Sequence, residues 1–450
     1  MVQPCNSKRV MGASLVSAFV AAAMALVVLV SASISQAADL QWGGLYRFEG
    51  NLINNPELSS SPRAKTYMLH HLILQPKIVA AVNEQLGRLE HAMLAGFAHA
   101  PAVELAERLS ALCQGRLGHA FFASDGASAT EIALKMAFHY WRNRGYEGKH
   151  RYVSLAGSYH GETLGALSVT DVALFRDQYA PLLRPGTQVP VPDPRRAWPG
   201  ETAEAQTARC LGALEDLFVH RHAEIAALIV EPLVQGAGGM IMYPPAYLSG
   251  ARSLCDRFGI LLIADEIAVG FGRTGSFFAC QQAGIWPDLM LLSKGITGGF
   301  LPLSVVLASD DIFRAFYDSD VARGFLHSHS YTGNPLACRA ALATLDLFAE
   351  RDVLADNARI GAHIDERAGA LRSRDDVRHF RRCGMIWAFE VESAGPDFAQ
   401  RLFAAALEQS LLLRPMGNTV YWMPPYVLSE ADADHMVDAT CRALDRVASP

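Results

Sequence analysis

Three apolar segments of this 450-residue chain each run into an ionisable side chain. Ala226 to Val230 ends on Glu231, Ile260 to Ala264 ends on Asp265 and Glu266, and Leu289 to Ser293 ends on Lys294. A charge at the end of a buried strand is costly unless something pairs with it. In an open α/β sheet, ligands sit just beyond the carboxyl ends of the strands, so a ligand can be that partner. A flat cationic heterocycle would satisfy a carboxylate such as Asp265. Burial lowers a lysine pKa, which would leave the Lys294 amine free to form an imine with a carbonyl. Taken singly, Asp265 also reads as a helix cap or a surface acid, and Lys294 as an ordinary solvated lysine. Their joint placement at strand ends is what points to chemistry.

Two further stretches could complete such a site. Ser124-Asp125-Gly126-Ala127-Ser128 follows an apolar run and opens a segment with Ile132, Met136 and Tyr140 on one helical face. Unpaired N–H groups at a helix start, with about half a unit of positive charge, suit a phosphate. Tyr159-His160-Gly161-Glu162 follows another apolar run, and an aromatic there can stack on a flat ring or simply fill the core. His327-Ser328-His329-Ser330 suggests a metal pair, but nothing nearby completes a ligand set, so no metal is expected.

The elements that must position these residues are read from periodicity. Strands are predicted at His119–Ser124, Tyr152–Ala156, Ala226–Glu231, Ile260–Asp265, Leu289–Ser293 and Leu303–Ser309. Helices are predicted at Pro101–Leu112, Ala129–Arg142, Tyr247–Phe258 and from Pro335 to about Glu350. Doubly apolar strands alternating with helices imply an α/β fold with a mostly parallel, doubly wound sheet. The remainder, with Met385–Val391 as a strand, reads as a smaller α+β domain. The chain is 51% hydrophobic with a net charge of −6, so nothing points to nucleic acid and a small-molecule ligand is favoured. Eight cysteines are scattered singly, which fits a reduced compartment; Cys113, Cys255 and Cys280 read as small buried hydrophobes.

Together, Ile263-Ala264-Asp265-Glu266-Ile267, Gly270-Phe271-Gly272-Arg273-Thr274-Gly275, Ser293-Lys294-Gly295-Ile296-Thr297-Gly298-Gly299 and Tyr331-Thr332-Gly333-Asn334-Pro335 resemble the class III aminotransferases. That resemblance implies fold type I and pyridoxal 5′-phosphate as cofactor. Lys294 would form the imine and carry the proton between substrate and cofactor carbons, and Asp265 would hold the pyridinium. Tyr159 would flank the ring, and Gly126 and Ala127 would bind phosphate through their N–H groups. Ser328, His329 and Ser330 would serve the site of a neighbouring subunit, which implies a homodimer. Further segments, His91 to Phe97, Glu231 to Met240, Arg414 to Gly417 and Tyr421 to Tyr426, resemble a particular branch of the class. Its members move the amino group of S-adenosylmethionine to 8-amino-7-oxononanoate in biotin synthesis. In that branch Arg414 would clamp the acceptor's carboxylate by a bidentate pair, and Tyr421 would lie beside the donor. Arg273 fits the pattern but carries no assigned role.

The resemblance begins near Pro76. It divides the chain into an atypical segment 1–75, a large cofactor-binding domain 76–335 and a small domain 336–450. The aromatic segments that the family carries upstream are missing; Lys65 to His71 stands where a paired tryptophan belongs. Lys8 and Arg9, the apolar run from Val10 to Val30, and Ser35-Gln36-Ala37 resemble a secretory signal or an anchor long enough for a bilayer. Export, anchoring and a misassigned start all remain open, whereas the family implies the cytoplasm. Another ω-amine aminotransferase, or a cofactor-binding protein without catalysis, are the competing readings of function.

Overall fold

A computed structural model describes residues 76–392 and 395–448; the Val10–Val30 run and the Lys65–His71 stretch lie outside the described residues. Twelve strands follow in chain order. They are β1 His119–Ala123, β2 Arg151–Leu155, β3 Thr187–Val189, β4 Ile225–Val230, β5 Val234–Gln235, β6 Ile241–Met242, β7 Leu261–Asp265, β8 Leu289–Leu292, β9 Ser304–Ala308, β10 Val377–Cys383, β11 Ile386–Val391 and β12 Thr419–Trp422.

Seven of these form one sheet in the order β1-β9-β8-β7-β4-β2-β3. Every pairing from β8 to β3 is parallel, and β9 runs antiparallel to both of its neighbours. The central strands carry Leu, Ile and Val on both faces because both faces are covered. Leu228, Leu262, Met290 and Val305 pack on one side with Leu214, Phe218, Leu248 and Cys255 from two helices, Ala203–Arg221 and Pro245–Phe258. Ile229, Ile263, Leu291 and Val306 pack on the other side against Ile132, Met136 and Tyr140 of the helix Gly126–Asn143. The expected α/β architecture is therefore present, and each predicted strand and helix has a counterpart with slightly shifted ends.

Register decides what reaches the upper edge of this sheet. Val230 pairs with Ala264, and Asp265 pairs with Leu291. Glu231, Asp265 and Lys294 therefore emerge from three adjacent parallel strands at one edge. The helix Pro335–Glu350 starts sharply because Pro335 sits at its first turn and the Asn334 side chain accepts from the N–H groups of Leu336 and Ala337. Its inner residues Ala337, Cys338, Ala341 and Leu342 lie in the same core as β4 and β7.

A separate core forms around the antiparallel sheet β10-β11-β12. Trp387, Phe389 and Trp422 pack there with Ile360, Ile364, Leu402 and Val437. The opposite face of that sheet presents Ile386 and Ala388 to Val234 and Met240. Strands β3, β5, β6, β10 and β12 have no counterpart in the sequence reading: β3 is three residues long, β5 and β6 are two each, and β10 reads Val-Arg-His-Phe-Arg-Arg-Cys, which carries no two-residue alternation. β3 pairs with β2 and β12 with β11 across long intervening segments, whereas β10 pairs with β11 directly across the turn at Gly384-Met385. Among the described residues, no helix is long and apolar enough to cross a membrane.

Ile263 is fully buried in the middle of the parallel array. Ile263→Ala is expected to destabilise the chain by about 2–5 kcal/mol, as a cavity in a packed core does. Urea unfolding measures this directly, and a loss below about 1 kcal/mol would mean that the site can collapse around the missing atoms.

Candidate functional site

Lys294 is the first residue of a short 3-10 turn after β8, and its backbone stands in the left-handed region with φ +47°. That conformation costs a branched or long residue on the order of 1–3 kcal/mol, and it persists where the surroundings over-determine it. The preceding Ser293 hydroxyl donates to the Leu303 carbonyl at 2.8 Å and anchors the strand end. The Lys294 side chain is exposed into a cavity of about 1170 Å³, and its amine has no hydrogen-bond or ion-pair partner among the described residues.

Asp265 lines the same cavity from the neighbouring strand and is only 4% exposed. Its Oδ1 accepts from the Ile267 N–H at 3.1 Å, and its Oδ2 accepts from His160 Nδ1 at 2.8 Å. His160 is itself fixed: its N–H donates to Thr170 Oγ1, and its carbonyl accepts from Thr130 Oγ1. The buried His160 Nε2 has no partner. Two hydrogen bonds thus hold one carboxylate still at the cavity wall, which is what a positively charged ring nitrogen requires of its counter-ion.

Glu231 extends this arrangement. Its two oxygens accept from the Tyr159 N–H at 2.9 Å and the Gly236 N–H at 3.0 Å. Burial pushes its carboxyl up to about 7; the His160 ring opposes that rise, and the Asp265 charge adds to it. Tyr159 lines the cavity, and its hydroxyl donates to Glu162 Oε1 at 2.8 Å. Burial, then the bond to Glu162, raises the phenol well above its ordinary value.

The helix Gly126–Asn143 points its start into the cavity. Asp125 caps it by accepting from the Ser128 N–H at 2.9 Å, and the Ala129 N–H donates to the Asp125 carbonyl. The N–H groups of Gly126 and Ala127 have no partner among the described residues, and both residues line the cavity. Gly161, with φ +120°, brings the Tyr159-His160 turn against this helix so closely that a Cβ there would lie 2.6 Å from Ala127 Cβ. A phosphate-bearing pyridine cofactor therefore fits the residues present: two open N–H groups for the phosphate, a fixed carboxylate for the ring nitrogen, and an unpaired amine.

The structure brings together Gly126, Ala127, Tyr159, Asp265, Lys294 and Tyr421 around one cavity. It does not bring in Arg414, which is exposed and stands outside the cavity lining, nor Ser328, His329 and Ser330. His329 instead meets His327, with 3.0 Å between their Nε2 atoms. The arginines that line the cavity are Arg273 and Arg351. Arg273 donates to the Pro424 carbonyl at 2.7 Å and stacks 4.4 Å from the centre of the Tyr426 ring. Sequence reasoning missed His160 as the partner of Asp265. Its motif was visible, but 105 residues separate the pair and only the sheet brings them together.

Glu266 is fully buried beside this site, accepting from the N–H groups of Ala279 and Cys280 at 2.9 and 2.8 Å. Burial pushes its carboxyl from 4.5 up to about 7. The folded chain thus keeps a proton that the unfolded chain has lost, so this group's stabilising contribution is complete below about pH 4.5 and falls as pH rises to about 7. Glu266→Gln carries no such charge. Its melting temperature relative to the native protein is expected to be more favourable at about pH 8 than at about pH 5. An offset that stays constant over that range would show that Glu266 is ionised throughout.

The Aminotransferase class-III family model matches residues 70–444. The chain is 41% identical over 382 residues to the adenosylmethionine-8-amino-7-oxononanoate aminotransferase of Geobacter sulfurreducens, covering 82% of this chain and 84% of that protein. The solved enzyme of the same name from Methanocaldococcus jannaschii superposes with a TM-score of 0.77 at 31% identity, covering 83% of this chain and 85% of that one. A PLP-bound amine transaminase from an uncultivated Pseudomonas species superposes with a TM-score of 0.78 at 35% identity, covering 82% of this chain and 87% of that one. With a fixed acid and a free amine at adjacent strand ends and a family match over most of its length, the chain belongs to the class III aminotransferases.

Proposed function

We propose that this enzyme transfers the amino group of S-adenosylmethionine to 8-amino-7-oxononanoate, giving 7,8-diaminononanoate in biotin biosynthesis, with pyridoxal 5′-phosphate as its cofactor. The carrying observation is that Lys294 and Asp265 line one cavity from adjacent strand ends. The names of relatives at 34–41% identity support the choice of substrates. The bound cofactor supplies an electron sink that makes the substrate's α-hydrogen acidic.

The chain's residues do the rest. The Gly126 and Ala127 N–H groups hold the phosphate at the helix start. Asp265, oriented by His160, keeps the proton on the ring nitrogen. The Lys294 amine takes the proton from the donor carbon and returns it on the far side of the transfer, as a positioned general base and acid. Tyr159, Ile267, Tyr421 and Arg273 line the cavity; Tyr159 and Ile267 would flank the cofactor ring, and Tyr421 and Arg273 would border the substrate.

The proposal includes a cytoplasmic homodimer, in which Ser328, His329 and Ser330 serve the cavity of a second copy. Arg414, outside its own cavity, would contribute to the acceptor carboxylate only through such an assembly or a moved chain segment. A second reading, transfer from simple amines, is supported by the likeness to the Pseudomonas amine transaminase.

Two measurements test this reading. With 8-amino-7-oxononanoate as acceptor, product is expected from S-adenosylmethionine and not from putrescine or β-alanine; the opposite pattern selects the second reading. Lys294→Ala is expected to lower kcat by about 10²–10⁴-fold or more and to abolish borohydride fixation of the cofactor to the protein. A variant that still fixes cofactor would remove Lys294 from its role.

A further inference from the structure

The segment Gly236–Met240 forms one wall of the cavity through Gly236, Ala237 and Met240. One end is tied to Glu231, which also holds the Tyr159 N–H. At the other end, Met240 stands in the left-handed region at φ +52° and Gly239 at φ +91°. A methionine does not hold that conformation unaided.

Two arginines grip this end by its carbonyls. Arg381 donates to the Met240 carbonyl at 2.8 Å and to the Gly239 carbonyl at 2.7 Å, and Arg195 donates to the Gly239 carbonyl at 3.1 Å. Both arginines converge on Glu390. Its Oε1 accepts from Arg195 at 2.9 Å, from Arg381 at 2.8 Å and from the Thr419 hydroxyl at 3.2 Å, and its Oε2 accepts from Arg381 at 2.9 Å. Asp193, 1% exposed, holds the other side of Arg195 by a forked pair. Two largely buried cations meet two largely buried anions, with the exposed Arg196 3.9 Å from Asp193 at the edge, and Glu390 is fully bonded. A buried ion cluster adds little net stability, which leaves a conformational role as the reading to test.

We propose that Glu390 is a positioning residue for substrate binding: by aiming Arg195 and Arg381 at the Gly239 and Met240 carbonyls, it fixes the Met240 wall against the Tyr421 side of the cavity. Met240 and Tyr421 belong to one apolar cluster that also holds Ile386 and Ala388 of the β11 face. Glu390 itself is absent from the cavity lining, so it acts only through these arginines. The inference rests on the aminotransferase reading of the cavity and not on which donor is used.

Glu390→Gln turns one acceptor into a donor that faces a guanidinium. KM for one or both substrates is expected to rise about fivefold or more, with kcat within about twofold and the absorbance of bound cofactor unchanged. Hydrogen exchange at residues 236–240 is expected to speed up, a readout that needs no substrate. Thr419→Val removes one bond to Glu390 and leaves both arginine contacts, so it is expected to change KM and exchange clearly less than Glu390→Gln does. Arg381→Lys keeps the charge but loses the fork, and is expected to raise KM as Glu390→Gln does, which covers failure of the first variant to fold. A native KM in Arg381→Lys, or equal changes in Glu390→Gln and Thr419→Val, would overturn the proposal. A native protein inactive with every donor would refute the aminotransferase reading instead, while the exchange result would still report on the clamp.

Discussion

The ladder register between β4, β7 and β8 is the constraint on which the site depends. A strand's side chains alternate faces with a period of two, so a slip of one residue between β7 and β8 would turn Asp265 away from its ligand and bury Leu291 wrongly. The unbroken Leu, Ile and Val content of these strands does not select a register by alternation. It is selected by knob-and-hole packing on both faces, Leu262 and Met290 toward one helix layer and Ile263 and Leu291 toward the other. The chemistry at the sheet edge is therefore positioned by apolar contacts well below it.

Around that edge the protein gathers carboxylates that burial alone would neutralise. Glu231 and Glu266 are both pushed up to about 7 by burial, although each accepts two backbone N–H groups. Asp265, whose charge adds to both rises, is bonded to a histidine and an N–H. The three acids have different surroundings and different tasks. Glu231 lines the cavity while tying the Tyr159 turn to the Gly236 loop, Glu266 ties β7 to the turn at Ala279, and Asp265 lines the cavity with its carboxylate oriented by His160. The buried thiols Cys113 and Cys255, pushed up to about 12, are packing groups and not nucleophiles at neutral pH.

Cavity walls come from parts of the chain far apart in sequence. The Gly126 helix start, the Tyr159 turn, the Gly236–Met240 segment and the Met416–Met423 stretch each contribute one side. None of these touches another through local structure. Their relative placement is carried by a few buried polar contacts: Glu231 between the second and third, and the Glu390 cluster between the third and the small sheet.

What the sequence determined by itself was local. Apolar runs ending in Glu231, Asp265 and Lys294, a glycine-bearing helix start at Gly126, and the Pro335 helix start are all legible because each is set by a few consecutive residues. The short strand β3 was not legible because its partner β2 lies elsewhere in the chain, and β10 was not legible because its arginine-rich sequence lacks alternation although its partner β11 follows directly. The His160–Asp265 bond, the Glu390 cluster and the placement of Arg414 outside the cavity were decided only by tertiary structure. A hydrogen bond across 105 residues leaves no periodic trace in the chain, because its distance is fixed by the sheet and the helices packed on it.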